Sequence, residues 1–167
     1  GEGVACVRVD LADAIAVKAS WSELDRVDAL VALAGGFAMG ADSFAADDDE
    51  WEAMMQANVA SLRAVLKAAV PGMKAYDAGR IITVGALSAQ QGKAGMSAYT
   101  ASKAVVMNLT ESLAAELADT GVRVNAILPS IIDTPANRQA MPDANWREWV
   151  APADMAEVIC FLASAQS

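Results

Sequence analysis

The chain contains no histidine. That removes Ser-His-Asp and Cys-His catalysis and most zinc sites. Its two cysteines, Cys6 and Cys160, lie far apart in apolar runs, so buried reduced thiols are expected rather than a disulfide. Aromatic residues make up only 5% of a composition that is 55% hydrophobic and rich in alanine, a mixture suited to close packing of helices on a sheet. Basic residues are few: 12 Lys and Arg stand against 21 Asp and Glu, a net charge of −9. Such a chain has no electrostatic footprint for nucleic acid or an anionic membrane. Any phosphate would have to be held by backbone N–H groups and isolated cations. The most apolar segment, residues 29–41, is too short to cross a bilayer. The opening "GEGVACVRVD" lacks a basic region followed by a long apolar run, so a soluble cytoplasmic protein is expected.

At 167 residues the chain has the length of one domain with a core of its own. "VACVRVD", residues 4–10, is β-branched and short, and predicts a strand ending on an acid. A short, weakly amphipathic helix follows over residues 11–24. "DALVALAGG", residues 28–36, predicts a strand buried on both faces and stopped by two glycines. Residues 47–73 predict a long helix. Its acids, Asp47 to Glu50, cluster where the helix dipole favours them, which reads as a helix start rather than a metal site. Residues 79–86 and 122–129 predict two more strands. Between them, residues 97–121 predict a second long helix with Gly121 as its C-cap. A last helix begins with Pro152 in its first turn. Alternating apolar strands and helices imply a parallel sheet covered on both faces, with ligands beyond the carboxyl ends of the strands. Asp10, Ala34-Gly35-Gly36, Gly85-Ala86 and Pro129 all follow predicted strands.

Tyr99 and Lys103 stand four apart at the start of the second long helix, in "YTASK". A free phenol has a pKa near 10, and a nearby ammonium lowers it toward the range of an effective general acid. Positions i and i+4 share a helix face, so Lys103 can reach Tyr99. Asn58, in "QANVASL", is an unusual residue for a helix interior.

The ordered set of Asp10, Ala34-Gly35, Asn58, "YTASK" and "NAILP…DTP" resembles the short-chain dehydrogenase/reductase family over nearly the whole chain. The resemblance implies a Rossmann-like, doubly wound α/β/α fold, an NAD or NADP cofactor and a small-molecule substrate. It implies Tyr99, Lys103 and Asn58 as catalytic residues. Asp10 and Leu11 would meet the adenine, with Asp10 also able to cap the following helix. Ala34, Gly35, Gly36, Tyr99, Lys103, Pro129, Ile132 and Thr134 would complete the cofactor site. In the family the two long helices, Asp48 to Ala69 and Ala98 to Asp119, pair into a four-helix bundle, so a homodimer or homotetramer is expected.

Departures narrow the likeness. Leu33 replaces an asparagine, Ala86 replaces the serine thirteen residues before the tyrosine, and Ser130 replaces a glycine. "AGGF", "GA" and "DTPANRQAMPDA" are similar to a dihydropteridine reductase-like branch. Ala86 lacks the usual donor. Ser88, which would share Ala86's face on an extended segment, is the candidate substitute. Asn137, Arg138, Met141 and Trp146 fall in the segment that forms a mobile substrate lid in the family, where Trp146 and Trp149 either stack on a flat substrate or pack on the core. The favoured reading is hydride transfer to a quinonoid dihydropterin. An ordinary carbonyl or alcohol oxidoreductase, and a non-catalytic assembly partner, are the alternatives. By the same resemblance, the glycine-rich opening and the last strand have no counterpart. Residues 1–167 are therefore expected to be one partial Rossmann-like domain of a longer protein, with residues 4–10 separated from the other strands by a gap in the sheet.

Overall fold

The computed structural model describes residues 3–40, 42–45 and 47–167. Three parallel strands form the sheet in the order β1 (Ala29–Ala32), β2 (Gly79–Val84), β3 (Val122–Ile127). Ala29 pairs with Arg80, and Gly79 with Val122, so register runs from the start of β2 across all three strands. The described residues also form six α-helices: α1 (Ala14–Ser22), α2 (Asp48–Met55), α3 (Ser61–Ala75), α4 (Ser97–Glu116), α5 (Pro135–Ala140) and α6 (Pro152–Ala163).

Side chains alternate across β2 and assign the layers. Ile81 is fully buried in the core with Leu62, Val65, Ala69 and Met73 of α3 and Val106 of α4. Thr83, on the same face, bonds Thr110 of α4 at 2.8 Å. Arg80 points the other way and donates to the Ser164 carbonyl at the end of α6. The result is a sheet with helices on both faces, as the alternation of elements implies.

Helix ends follow local chemistry. Asp47 caps α2, and Asp48, Asp49 and Glu50 occupy its first turn, so the acidic run is a helix start. Pro152 lies in the first turn of α6, where a missing N–H leaves no bond unmade.

Several expectations are corrected. Residues 4–10 form no strand: Val4 and Val7 are 74% and 73% exposed, because no described strand lies beside them to complete a ladder. Cys6, on this segment, is therefore exposed, and so is Cys160 on α6, a helix without a buried residue. Strand β1 is shorter than predicted and buries only Leu30, since among the described residues its outer edge has no partner strand. The first long helix is not continuous; a π-helical segment, Gln56–Ala60, separates α2 from α3. Helix α4 ends at Glu116 with Leu117 as its cap, so Gly121 is not the cap. Gly121 instead passes against the Asp77 carbonyl, a contact that any Cβ would overlap, and its N–H donates to the Asp77 carboxylate at 2.7 Å.

Candidate active site

The π-helical segment places Asn58 in the interior, 2% exposed, rather than on the surface. Its side-chain amide clips the turn after β1 at two points. Oδ1 accepts from the Gly36 N–H at 2.9 Å, and Nδ2 donates to the Gly36 carbonyl at 3.1 Å. Nδ2 also donates to Ser102 Oγ at 2.9 Å. Ser102 is fully buried, and its hydroxyl donates to the Tyr99 carbonyl at 2.8 Å. Gly35 makes this closeness possible: a Cβ there would stand 2.6 Å from Asn58 Oδ1 and 3.2 Å from Lys103 Nζ.

Lys103 is 8% exposed, and its ammonium donates to the Val84 carbonyl, at the end of β2, at 2.9 Å. Burial lowers its pKa. Among the described residues its ammonium has no carboxylate partner, and Lys103 is one of the residues that line the neighbouring cavity. That cavity, about 320 Å³, is lined by Leu11, Ala34, Asn58, Leu62, Val84 and Lys103, among others. It opens where β1 and β2 end, the position at which open α/β sheets take ligands.

Tyr99 is half-buried against Phe37, whose ring meets it edge-on with centroids 4.9 Å apart. Burial pushes the Tyr99 phenol up. The expected lowering by Lys103 is therefore corrected: one ammonium N–H donates to the Val84 carbonyl, and desolvation by burial raises the phenol's pKa.

The remaining candidates are not among the residues that line this cavity. Ala86 is buried, and the 3-10 turn Leu87–Gln90 follows it. Ser88 lies within that turn, so the extended geometry that would align it with Ala86 is absent. Pro129 is drawn to this turn by the bond from the Leu87 N–H to its carbonyl at 3.1 Å. Asp10 is exposed and its carboxylate accepts from the Ala12 N–H, while Asp13, not Asp10, caps α1.

After β3 the chain returns on itself. Asp133 N–H donates to the Val150 carbonyl, and Val150 N–H to the Ile131 carbonyl, which pins both ends of a flap carrying α5. Ile132 lies at this junction and its carbonyl accepts from Asn137. Thr134 caps α5 through the Asn137 N–H. Arg138 pairs with Asp133 at 2.5 Å and lies over the Trp146 ring. Trp146 also donates to the Met141 carbonyl at 3.0 Å, so the flap packs its own aromatic residue. No hydrogen bond joins these flap side chains to Tyr99 or Lys103 among the described residues.

The short chain dehydrogenase family profile matches residues 1–145. The chain belongs to this family. It is 34% identical over 145 residues to dehydrogenase/reductase SDR family member 6 of Danio rerio, covering 84% of this chain and 59% of that protein. A solved short chain dehydrogenase/reductase family protein, 34% identical, superposes with a TM-score of 0.90 over 98% of this chain and 71% of its own. A Beutenbergia cavernae structure, assigned as an NAD(P) dependent gluconate 5-dehydrogenase and solved with NADP bound, is 31% identical. Its TM-score is 0.87, over 96% of this chain and 69% of that one. The chain thus spans less than two thirds of its Danio rerio relative.

Two contributors escaped the sequence reading. Ser102 sits inside "YTASK" but carries no signal as a lone serine; only its burial beside Asn58 reveals it. Phe37 follows the glycine pair, and its contact with Tyr99 depends on the tertiary fold.

Proposed function

We propose that the full-length protein is an NAD(P)-dependent oxidoreductase that reduces a small planar substrate such as a quinonoid dihydropterin. The observation that carries the reading is the buried Lys103, whose ammonium has one carbonyl partner and which lines the cavity at the strand ends, four residues from Tyr99. The residues present suit the ribose and nicotinamide part of such a cofactor. Lys103 offers N–H donors to ribose hydroxyls, and Ala34-Gly35 presents backbone without bulky side chains. In this reading Pro129, Ile132 and Thr134, which follow β3, would meet the nicotinamide, and the Asp10 carboxylate would meet an adenine amino group. The cofactor, when bound in reduced form, supplies hydride.

The protein's own residues manage the proton. Tyr99 holds it at the phenolic oxygen, which like any phenol is protonated at neutral pH; burial raises its pKa further. Asn58 holds the glycine turn and, through Ser102, the first turn of α4. At position 86 the site presents a methyl group instead of a hydroxyl. An electron-poor ring needs no donor there, and one proton from Tyr99 completes its reduction. The Phe37 ring, 59% exposed while seated on Tyr99, offers a flat apolar surface to such a ring. Asn137, Arg138, Met141 and Trp146 lie on the flap that would cover it.

Self-association through α2 and α4 belongs to the same reading. Trp51 is 40% exposed and Val105 38%, and Trp51 shares an open groove with Ala101 and Ala104 of α4. The reading is tested by turnover of the full-length protein with quinonoid dihydropterin and with a simple ketone, each with NADH and NADPH. Reduction of the pterin at a higher kcat/KM supports it; reduction of the ketone alone replaces it with carbonyl chemistry.

A further inference from the structure

Three structural pieces meet around one serine hydroxyl. The glycine turn after β1 is held by Asn58, Asn58 sits on the π-helical segment between α2 and α3, and Tyr99 lies in the first turn of α4. The only side chain joining the Asn58 amide to the Tyr99 backbone, among the described residues, is Ser102. Its hydroxyl has one proton. That proton goes to the Tyr99 carbonyl at 2.8 Å, so toward Asn58 the oxygen acts as acceptor. The arrangement consequently selects the orientation of the Asn58 amide. Nδ2 must face Ser102 and the Gly36 carbonyl, leaving Oδ1 for the Gly36 N–H. With the amide reversed, Oδ1 would face two oxygen lone pairs, and Nδ2 would face an N–H.

We propose that Ser102 is a positioning residue, setting the Asn58 amide and the first turn of α4 together so that Tyr99 is held relative to the glycine turn and Lys103. It acts through Asn58 and Tyr99 and does not itself meet substrate. Its full burial excludes a role as direct donor, since no solvent or ligand reaches it. The inference rests on the reading of Tyr99 as proton donor for its kinetic consequence, but the linkage itself has a separate readout. A helix serine bonding only backward to its own turn would be a local satisfaction of the hydroxyl. Here the second bond spans 44 residues of sequence, which a local role does not require.

The test uses Ser102→Ala and the near-isosteric Ser102→Cys in the full-length protein, with Thr110→Ala as control. Thr110 carries an equally hidden hydroxyl farther along α4, paired with Thr83 and not linked to Tyr99. Ser102→Ala should lower kcat about tenfold, the size of one lost hydrogen bond, and Ser102→Cys should follow it. Thr110→Ala should lower Tm comparably with kcat within twofold. Asn58→Ala combined with Ser102→Ala should be no slower than Asn58→Ala alone, because both changes cut one linkage. Independent multiplication of the two losses would overturn the proposal, as would wild-type kcat in both Ser102 variants. Phenolate absorbance, taken as the difference between each protein and its Tyr99→Phe counterpart, tests the linkage without turnover. Ser102→Ala should admit water and lower the Tyr99 midpoint toward its ordinary value, and an unchanged midpoint would refute positioning even if no substrate is turned over. An inactive wild-type protein whose midpoint does move would leave the linkage standing and remove the oxidoreductase reading.

Discussion

The Phe37 ring meets the Tyr99 ring edge-on, with centroids 4.9 Å apart and planes at 74°. Edge-to-face contact buries part of the phenol without engaging its oxygen. Burial raises the phenol's pKa above its ordinary value. Tyr99→Phe is expected to abolish most hydride-transfer turnover of the full-length protein while leaving it folded. Steady-state kinetics checks this, and near-wild-type kcat would remove Tyr99 from its role. Stability supplies a second readout. A phenol raised in the folded state favours folding less as pH climbs through its unfolded value near 10, since the unfolded chain then gives up its proton first. Tyr99→Phe should therefore flatten the alkaline loss of stability in denaturant titrations above about pH 10.

Gly35→Ala is expected to damage both stability and activity. The added Cβ would stand 2.6 Å from Asn58 Oδ1, so the amide must leave Gly36. Loss of buried hydrogen bonds at this turn should cost about 2 kcal/mol, read by urea unfolding, and should lower kcat more than tenfold. A variant with unchanged unfolding midpoint would show that the turn can move aside.

Ala86→Ser separates an adapted site from an impaired one. Position 86 is buried, and its carbonyl accepts from the Ala89 N–H at 3.0 Å, so a serine hydroxyl there enters packed space. With a pterin-like substrate kcat/KM should stay or fall. With a simple ketone a new donor to the developing alkoxide could add roughly 3 kcal/mol, about a hundredfold. Measuring both substrates on one enzyme decides, and a large gain on each would mark the alanine as a defect.

The outward faces of α2 and α4 predict association. Full-length protein should sediment as a dimer or tetramer, and Val105→Glu or Trp51→Arg should shift it toward monomer by placing a charge on an apolar contact. A wild-type monomer at micromolar concentration would contradict the prediction.

The alternation of apolar runs with helical stretches was enough to determine a parallel α/β sheet, because burial on both faces leaves period-free strands such as Arg80 to Val84 legible in one dimension. The acids at Asp47 to Glu50 and the proline at Pro152 marked helix starts for the same reason: capping is local chemistry. The spacing of Tyr99 and Lys103 was legible too, but not their relation, which the sequence reading took as ammonium lowering phenol. Only the tertiary structure directed Lys103 to the Val84 carbonyl and left Tyr99 dominated by burial. Likewise Val4 to Asp10 has strand chemistry but no strand, since pairing is a property of neighbours and none of the described residues supplies one. Asn58 bonds Ser102 across 44 positions of chain, and no local pattern encodes a contact made by folding three separate elements onto one hydroxyl.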